Sequence, residues 1–566
     1  MTAGPPTLRD YQSEAIGAVL QARRRGVRRQ LVCLPTGAGK TVIFSELARL
    51  ARRPVLVLAH RAELLTQAHR RLADALGDPS TVGIEAADQH APADARVVVA
   101  SIRSLHADRL ARLLAARRPG LVIYDEAHHA TAEDNQRVLR TLGAFDAAWD
   151  GTLLGFTATP ARADGVGLDQ VFDEIVYERG LMRLIGDGWL APLRGYRIAT
   201  AADLRGLAGS GDDFQIDALA EVVDIEDRNA LVARSIQELA RDRRTLAFCV
   251  TVRHARNLCR ALNAIGVPAG LVHGQMRPED RARVLVDFRL GRLQVLTNVG
   301  VLTEGFDDPG VSCVAMARPT RSAGLYAQCV GRGTRLAGGK TDCLVLDFVD
   351  LSDLTLETLP SLVGLPRDLD LQGADLREAG RDLAALYDRF PGFEVEPGSI
   401  TLPEIQRRAA AFDPLGVAVD PEVRAVSGNA WHSLGSRGLV LHACWGDAAA
   451  RKGRVAQVLV LDQGGRPGAR RWSVSVDGKA QARFSRLEDA VVAVDHELAQ
   501  RGRYAAASGR ADAGWRRASV PSELAGALAD CGLAGQASSH GQALQVLAWH
   551  THGPHRARLT GPADRR

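Results

Sequence analysis

A short stretch near the start of the chain has the residue types that bind phosphate. It reads Pro35, Thr36, Gly37, Ala38, Gly39, Lys40 and Thr41. The stretch follows an apolar run and precedes a helical pattern, the context in which a glycine-rich loop surrounds phosphate oxygens with its backbone N–H groups. Lys40 is expected to reach the β- and γ-phosphates of a nucleotide, and Thr41 to bind Mg²⁺. The loop departs from the usual pattern at Leu34, where its first glycine is expected.

Two adjacent carboxylates follow another apolar run. The run 121–124 ends at Asp125 and Glu126, and His128 comes shortly after them. Carboxylates at the end of a buried strand are costly unless they bind something. Asp125 is therefore expected to hold Mg²⁺, partly through water, and Glu126 to orient and deprotonate an attacking water. His128 is expected to link this site to the neighbouring motifs.

Two further segments have side chains suited to phosphate chemistry. Thr157 and Thr159 follow the apolar run 153–156, and their hydroxyls can relay between a nucleotide and a bound strand. Arg332 and Arg335 share one face if their segment is helical, and two guanidiniums can clamp a transferring phosphoryl group. Taken alone, the two threonines are more typical of a structural turn than of a relay. The two arginines alone are as typical of a solvated basic surface as of a phosphate clamp.

The segments that would carry these side chains alternate between short apolar runs and helical patterns. The first series of runs is 30–35, 55–59, 97–101, 121–124 and 153–156, and the second is 245–250, 269–273, 294–297, 311–315 and 342–347. Runs of this length, rich in Leu and β-branched residues, are typical of buried parallel strands with helices between them. The sequence thus predicts an α/β protein with two successive doubly wound parallel-sheet domains.

The same patterns predict where the domains begin and end. The first α/β domain is expected over 1–180 and the second over 231–355, joined by a linker over 181–230 that contains a glycine-rich stretch. The remainder is expected to form a helical accessory segment at 356–425, a small α+β domain at 426–505 and a helical basic tail at 506–566.

Composition excludes several classes of protein. No apolar run reaches the roughly 18 residues of a membrane span, and the N-terminus has no apolar core like that of a signal peptide. A cytoplasmic location without a membrane partner is therefore expected. Eight cysteines occur without a C-x-x-C pair, so neither a zinc site nor a disulfide framework is expected.

Charge is spread unevenly along the chain. The net charge is +5, but residues 421–566 hold 20 Lys and Arg against 12 Asp and Glu, a net of +8, which leaves −3 for 1–420. A basic C-terminal region is compatible with a phosphate backbone as partner, and equally with an ordinary solvated surface. Trp515 beside Arg516 and Arg517 is the best candidate there for stacking on bases, whereas Trp472 and Trp431 are expected in the core.

In order and spacing, these motifs resemble those of the superfamily 2 helicases of DEAD/DEAH type. The matching segments are 35–41, 121–128, 155–160 and 328–335. The resemblance covers roughly residues 7–350 and implies two tandem RecA-like domains, with ATP bound between them and Mg²⁺ as cofactor. The catalytic set that it implies is Lys40, Glu126, Arg332, Arg335 and Gln328.

Further motifs of this family imply contacts to ATP and to nucleic acid. The N-terminal motif would read adenine through Gln12, with Arg9 beside it, and a motif of the second domain would touch the nucleotide through Gly305 and Asp307. Nucleic acid would lie across both domains. Its implied contacts are His60, Arg61, Gln67, Ser101, Arg103, Thr297, Asn298 and Thr303.

Finer details favour DNA over RNA. His60, Arg61, Glu63 and Leu64, with the Thr-Ala-Thr of 157–159, resemble the group of bacterial RadD-type repair helicases, mitochondrial branched-DNA helicases and restriction-enzyme motors. DEAD-box RNA helicases have Ser-Ala-Thr at the second of these places. The chain lacks the cysteine-rich zinc module that the RadD type usually carries.

The resemblance implies an ATP-dependent DNA helicase or translocase in DNA repair or recombination. Because both halves of the ATP site lie in one chain, a monomer is expected to work, and the C-terminal region is the expected place for a repair-protein partner. A double-stranded DNA translocase that does not unwind and an RNA helicase stay open as alternatives. A nucleic-acid-binding protein without ATPase activity is disfavoured because Lys40, Glu126, Arg332 and Arg335 are all present.

Overall fold

The computed structural model divides the chain into two compact units, Met1–Arg377 and Glu378–Arg566. Three of the predicted site residues, Arg61, Thr159 and Gly305, lie outside the residues that the structure describes. The described residues are 8–60, 62–146, 148–158, 168–207, 209–210, 213–303, 306–352, 356–389, 400–410, 419–446, 449, 454–464 and 471–553.

The first unit begins with a seven-stranded parallel sheet. Its strands are β1 Arg29–Cys33, β2 Val55–Ala59, β3 Val82–Glu85, β4 Val97–Ser101, β5 Leu121–Asp125, β6 Thr152–Thr157 and β7 Glu174–Glu178. They are ordered β3-β4-β2-β5-β6-β1-β7, and every neighbouring pair is parallel. The helices of this part are α1 Asp10–Arg24, α2 Lys40–Leu50, α3 Ala62–Leu76, α4 Ala107–Ala116, α5 Glu133–Thr141 and α6 Leu181–Gly186.

Apolar side chains on both faces of this sheet form its core. Successive residues of a strand point to opposite faces, so Leu153 and Phe156 of β6 face different helices. Leu153 packs in one cluster with Leu139 of α5, whereas the Phe156 ring lies 5.9 Å from the Phe44 ring of α2. Burying each such side chain contributes roughly 1.5–3 kcal/mol. Strands covered on both faces need unbroken apolar runs, and for that reason the positions of β1, β2, β4, β5 and β6 could be predicted, whereas those of β3 and β7 were not.

The rest of the first unit is built around a second parallel sheet. The strands that follow are β8 Leu193–Asp203, β9 Gly209–Ser210, β10 Asp213–Phe214, β11 Thr245–Phe248, β12 Ala269–Val272, β13 Val295–Asn298, β14 Cys313–Met316 and β15 Cys343–Leu351. Six of them are ordered β12-β13-β11-β14-β15-β8, all parallel, and β9 pairs antiparallel with β10. The helices are α7 Ile216–Val223, α8 Glu226–Leu239, α9 Val252–Ala264, α10 Pro278–Arg289 and α11 Ala323–Gly331.

The strand β8 lies inside the segment 181–230, which the sequence analysis interprets as a linker. It pairs in parallel with β15, from Leu193 opposite Cys343 to Asp203 opposite Leu351. The linker prediction is wrong for this stretch, because a strand at the edge of a sheet is only partly covered and need not be apolar. β8 includes Arg197, which forms an ion pair with Asp368 at 3.1 Å.

The second unit is a smaller α+β structure. After α12 Leu376–Arg389, which begins in the first unit, the helices are α13 Leu402–Ala410, α14 Pro421–Val426, α15 Leu487–Gln500, α16 Arg503–Ser508, α17 Ser522–Asp530 and α18 His540–His552. After β16 Leu369–Asp370 of the first unit, the strands are β17 Ile400–Thr401, β18 His432–Ser433, β19 Gly438–Ala443, β20 Ala456–Asp462, β21 Trp472–Val476 and β22 Lys479–Phe484. The strands β18 to β22 form an antiparallel sheet in chain order.

Helices cover both faces of this antiparallel sheet. Leu441 of β19 packs in one cluster with Val494 of α15, and its neighbour Val440 packs on the opposite face with Trp549 of α18. Of the two tryptophans expected in the core, Trp431 is buried, whereas Trp472 is partly buried and packs against the same cluster. Arg516 is also buried, because its guanidinium donates to the carbonyl oxygens of 442, 509 and 510. The prediction of a surface role does not hold for that side chain.

The predicted fold class is confirmed. Two RecA-like parallel-sheet domains are followed by smaller α+β and helical parts. Among the described helices, none is long and apolar enough to cross a lipid bilayer.

Candidate nucleotide and nucleic-acid sites

The predicted phosphate loop connects the end of β1 to the start of α2. Gly37 and Gly39 have φ values of +90° and +75°, which side chains rarely tolerate. Space is also short, because a Cβ on Gly39 would lie 2.7 Å from Nε2 of Gln12. A Cβ on Gly37 would lie 2.9 Å from Oγ1 of Thr334. Glycine at these two places therefore gives the loop its shape and brings parts of both domains against it.

Lys40, the first residue of α2, forms a buried ion pair with Glu126. Its Nζ lies 3.1 Å from Oε1 of Glu126, and the two side chains are 10% and 7% exposed. Glu126 follows β5 with a φ of +52°, a left-handed conformation that costs on the order of 1–3 kcal/mol for such a residue. His128 Nδ1 lies 3.5 Å from Oε2 of Glu126. The structure thus brings Lys40, Glu126 and His128 together, as the sequence predicts.

The residues at this place fit Mg²⁺ and a nucleotide phosphate by their chemistry. Asp125 and Glu126 are buried, and the backbone N–H of Glu126 donates to Oδ1 of Asp125 at 3.0 Å. Thr41 adds a hydroxyl in the first turn of α2. Carboxylate and hydroxyl oxygens are the ligands that Mg²⁺ prefers, and the start of a helix after a glycine-rich loop attracts anions.

Gln12 lies against the phosphate loop at its N-terminal side. Its Nε2 donates to the carbonyl oxygen of Ala38 at 3.4 Å, and Tyr11 Oη donates to the same oxygen at 2.6 Å. Arg9 packs over the ring of Trp189 at 5.2 Å and donates to its carbonyl oxygen. Trp189, which comes from the segment after α6, lies in none of the sequence motifs. Its one signal was an aromatic residue close to the end of the first domain.

Arg332 and Arg335 follow the end of α11 in the second domain. Arg332 is buried, and its Nε and Nη1 donate to the carbonyl oxygens of Thr303 and Phe306, both at 2.9 Å. Arg335 Nη1 donates to the carbonyl oxygen of Phe306 at 3.0 Å and lies 2.8 Å from Oδ1 of Asp307. Burial lowers the pKa of Arg335. Both guanidiniums are therefore held by the segment that ends at Asp307.

The segment with these arginines contacts the phosphate loop directly. The Oγ1 of Thr334 donates to the carbonyl oxygen of Thr36 at 3.4 Å. A Cβ on Gly331 would lie 2.5 Å from the Cβ of Thr36, closer than two such atoms can approach. The backbone at the end of α11 thus lies directly against the phosphate loop. The two halves of the predicted ATP site therefore face each other within the first unit.

Asp307 also connects the two domains. Besides Arg335, it contacts two side chains of α3, Arg71 at 3.5 Å and Gln67 Nε2 at 3.4 Å. Gln67 is one of the predicted nucleic-acid contacts, whereas Arg71 was not identified from sequence. We call Gln67, Arg71, Asp307 and Arg335 the interdomain latch.

Two other predicted residues are buried near these elements. The side chain of Gln328 is buried on α11, one turn before its end. Thr157 is fully buried at the end of β6, and its carbonyl oxygen accepts from the N–H of Leu34 at 2.9 Å. That bond ties the strand to the start of the phosphate loop.

Three predicted nucleic-acid contacts lie together in the first domain. The imidazole of His60 stacks on that of His129 with centroids 4.7 Å apart, and Nη2 of Arg103 lies 3.0 Å from Nε2 of His60. Ser101 is the last residue of β4, directly before the exposed Arg103 turn. The ring of His129 also lies against that of His128, tilted to it, with the two centroids 4.1 Å apart. The cluster therefore runs from Arg103 to the residue that contacts Glu126.

The second domain has three further predicted nucleic-acid contacts. Thr297 and Asn298 are fully buried, and Nδ2 of Asn298 donates to the carbonyl oxygen of Ala247 at 3.0 Å. Thr303 is buried too, with its Oγ1 donating to the carbonyl oxygen of Gly300 at 2.7 Å. In this structure the three side chains are buried inside the domain, and their contact with nucleic acid stays a prediction.

Family models match both parallel-sheet domains. Residues 6–162 match the model described as type III restriction enzyme, res subunit. Residues 227–337 match the helicase conserved C-terminal domain. The chain thus contains these two domains in this order, and its fold is that of the superfamily 2 helicases. The superfamily 2 assignment agrees with the motif order and with the two sheets.

Relatives of known sequence match about three fifths of the chain. "Putative mitochondrial ATP-dependent helicase irc3" of Schizosaccharomyces pombe is 38% identical over 369 residues, which cover 64% of this chain and 60% of that protein. "Putative ATP-dependent helicase IRC3" of Saccharomyces cerevisiae is 33% identical over 377 residues, covering 64% and 54%. The Escherichia coli type I restriction enzyme EcoAI endonuclease subunit is 27% identical over 387 residues, covering 61% and 46%. The chain thus spans about half to three fifths of the length of these superfamily 2 relatives.

Proposed function

We propose that the protein is an ATP-driven motor that moves on DNA and unwinds it. The observation that carries this proposal is the contact between the two half-sites. The phosphate loop with Lys40 meets the end of α11, directly before Arg332 and Arg335, and Thr334 bonds to Thr36. A nucleotide bound there would touch both domains, so its hydrolysis would change which domain arrangement is favoured.

The first domain would supply the chemistry of hydrolysis. The Lys40 ammonium, which pairs with Glu126 in this structure, would pair with the incoming phosphates instead. Glu126 would then be free to accept a proton. Glu126 would take that proton from water while the water oxygen bonds to the γ-phosphorus and the bond to the β,γ-bridging oxygen breaks, releasing ADP and phosphate. Thr41 and Asp125 would hold Mg²⁺, which neutralises phosphate charge.

The second domain would supply the arginines. Arg332 and Arg335 bond to the 303–307 segment in this structure, and they would exchange those contacts for phosphoryl oxygens as charge develops there. Gln12, with Arg9 beside it, would select the adenine. Gln328 would support the arginines from α11.

Nucleic acid would bind mainly through its backbone. His60, Ser101 and Arg103 form the candidate surface of the first domain, and Gln67 of the latch adds a contact between the domains. Because such groups bind phosphates and sugars, low sequence specificity is expected. DNA is favoured over RNA because two matches carry the name of restriction enzymes, which act on DNA. A role in repair or recombination and a cytoplasmic location are part of the proposal, although one yeast relative is named as mitochondrial.

Steady-state ATP hydrolysis by the purified chain tests the proposal. The rates without nucleic acid and with single-stranded DNA, duplex DNA, forked DNA or RNA are compared, with Glu126→Gln as the inactive control. Loss of a general base costs on the order of 10²–10⁴-fold in rate. Strong stimulation by DNA that disappears in Glu126→Gln supports the motor. Absence of hydrolysis with every nucleic acid contradicts it, and stimulation by RNA alone overturns the assignment to DNA.

Strand displacement on forked DNA then separates unwinding from translocation. A helicase displaces a labelled strand in the presence of ATP, whereas a translocase that does not unwind hydrolyses ATP and displaces only a third strand from a triplex. Unwinding that needs ATP and is absent in Glu126→Gln supports the helicase form of the proposal.

A further inference from the structure

Lys340 lies in the loop between α11 and β15, where its ammonium contacts four backbone carbonyl oxygens. Nζ lies 2.7 Å from the oxygen of Arg335, 2.5 Å from that of Val311 and 3.5 Å from that of Pro309, and it also bonds to the oxygen of Gly333. The side chain therefore joins two separate stretches of backbone, 333–335 and 309–311.

Both stretches belong to the arginine half of the candidate ATP site. The stretch 333–335 begins beside Arg332 and includes Arg335. The stretch 309–311 directly follows the 303–308 segment, whose carbonyl oxygen at Phe306 accepts from Arg332 and Arg335. The two guanidiniums thus hold the backbone just before 309–311, and the Lys340 ammonium holds 309–311 itself together with 333–335.

Lysine is chemically suited to this position and arginine is not. An ammonium is compact, with three donors on a flexible stem, and can meet oxygens from several directions, whereas a guanidinium is a planar fork. The chain holds only 4 lysines among its 71 Lys and Arg, so lysine is not its default cation. Burial lowers the pKa of Lys340, and the four oxygens compensate for the loss of water around the ammonium.

We propose that Lys340 is a positioning residue for ATP hydrolysis, which fixes the 333–335 backbone so that Arg332 and Arg335 meet the transferring phosphoryl group. The inference rests on the proposed function. Lys340 would not contact the nucleotide itself. Its role would depend on the compact shape of the ammonium as well as on its positive charge.

Steady-state kinetics of Lys340→Met and Lys340→Arg in the full chain test the inference, with the exposed Lys479 changed to Met as control. Both Lys340 variants are expected to lose about tenfold or more in kcat, with the KM for ATP within about threefold of wild type, because the lost interaction matters mostly in the transition state. Binding of the fluorescent analogue mant-ATP should stay within about threefold as well, since the phosphate loop is unchanged. Lys479→Met should match wild type in every measurement.

A double-mutant comparison distinguishes positioning from a general structural role. If Lys340 acts through Arg335, Lys340→Met lowers kcat in the wild type but adds little in an Arg335→Ala background. If the losses in kcat from Lys340→Met and Arg335→Ala multiply in the double mutant, the inference is overturned. A wild-type kcat in Lys340→Met or in Lys340→Arg would overturn it as well. Should Lys340→Met fail to bind mant-ATP, Lys340→Arg carries the same test. An inactive wild type defeats the proposed function, whereas an active wild type with an equally active Lys340→Met defeats only this inference.

Discussion

At the scale of single residues, Glu126 combines strain with a buried charge. Its left-handed backbone follows directly from β5, and its carboxylate is neutralised by Lys40 at 3.1 Å. Strained residues persist where surrounding contacts fix them, and here the bond from its own N–H to Asp125 and the approach of His128 do so. In this structure the Lys40 ammonium and the Glu126 carboxylate pair with each other. An incoming phosphate would compete with the carboxylate for the ammonium and so separate the pair.

Asp347 gives a prediction about pH and stability. Burial raises the pKa of Asp347 to about 6, although its oxygens accept from Tyr326 Oη at 2.6 Å and from the N–H of Leu359 at 2.8 Å. Because the folded state holds this proton more tightly than the unfolded state, the contribution to stability is present at low pH and is lost as pH rises through about 6. The loss is at most about 3 kcal/mol, from roughly two pKa units.

Calorimetry of wild type and Asp347→Asn at pH 5 and pH 7.5 measures the part of this loss that falls above pH 5. The melting temperature of wild type should fall more between the two pH values than that of Asp347→Asn, which cannot lose the proton. Asp217→Asn, on the exposed start of α7, should keep the wild-type pH dependence. Equal pH dependence in wild type and Asp347→Asn would refute the assignment.

At the scale of elements, the end of α11 sets how closely the two domains meet. Gly331→Ala is expected to push Thr36 away, because the added Cβ would lie 2.5 Å from its Cβ. Displacing a catalytic group by about 1 Å can cost on the order of 100-fold, so a fall in kcat/KM of about tenfold or more is expected. The helix itself should tolerate alanine.

Gly338→Ala is the matched control for that change. It lies in the loop that follows α11, and a Cβ there meets nothing within 4 Å. Measured side by side, Gly338→Ala should hydrolyse ATP as wild type does and Gly331→Ala should not. Unaltered kinetics in a folded Gly331→Ala would show that the close contact does not matter for turnover.

The elements that the sequence predicted are those with a repeated physical signal. Buried parallel strands need unbroken apolar runs, and the phosphate loop needs glycines at fixed places, so β1, β2, β4, β5, β6 and Gly37 could be located. The strands β3 and β7 were not predicted, because their residues include glycine or charged side chains and form no unbroken apolar run. β8 has one open edge and mixed polarity, which hid it within a predicted linker. Burial of Thr297 and Asn298 depends on packing between distant strands. The positions of Trp189, Arg71 and Lys340 depend on contacts across loops, for which a single sequence gives no pattern.

At the scale of the whole molecule, the interdomain latch connects α3, which has a predicted nucleic-acid contact at Gln67, to Arg335 of the second domain. Gln67 and Arg71 of the first domain hold Asp307, which in turn holds Arg335. A nucleic acid that engages α3 would compete for these side chains and release Asp307 and Arg335. The latch therefore offers a physical basis for ATPase activity that rises when nucleic acid binds.

Arg71→Ala should raise the ATPase rate without nucleic acid and lower the stimulation ratio. The effect should be modest, about two- to fivefold, because the Arg71 side chain is 52% exposed and exposed ion pairs are worth roughly 0.2–1 kcal/mol. Raised salt should reproduce part of the effect in wild type. Arg70→Ala, on the exposed side of the same helix, is the control. A lower basal rate in Arg71→Ala would mean that this contact activates the enzyme.

The scarcity of lysine has a practical consequence for observing single molecules of this protein. Within the described part of the chain the lysines are Lys40, Lys340 and Lys479, and the first two hold their ammonium groups against a carboxylate and against backbone oxygens. Lys479 lies exposed on β22 of the second unit. An amine-reactive fluorophore or surface tether used sparingly would therefore attach preferentially there among these three, and single molecules could be followed without modifying the nucleotide site.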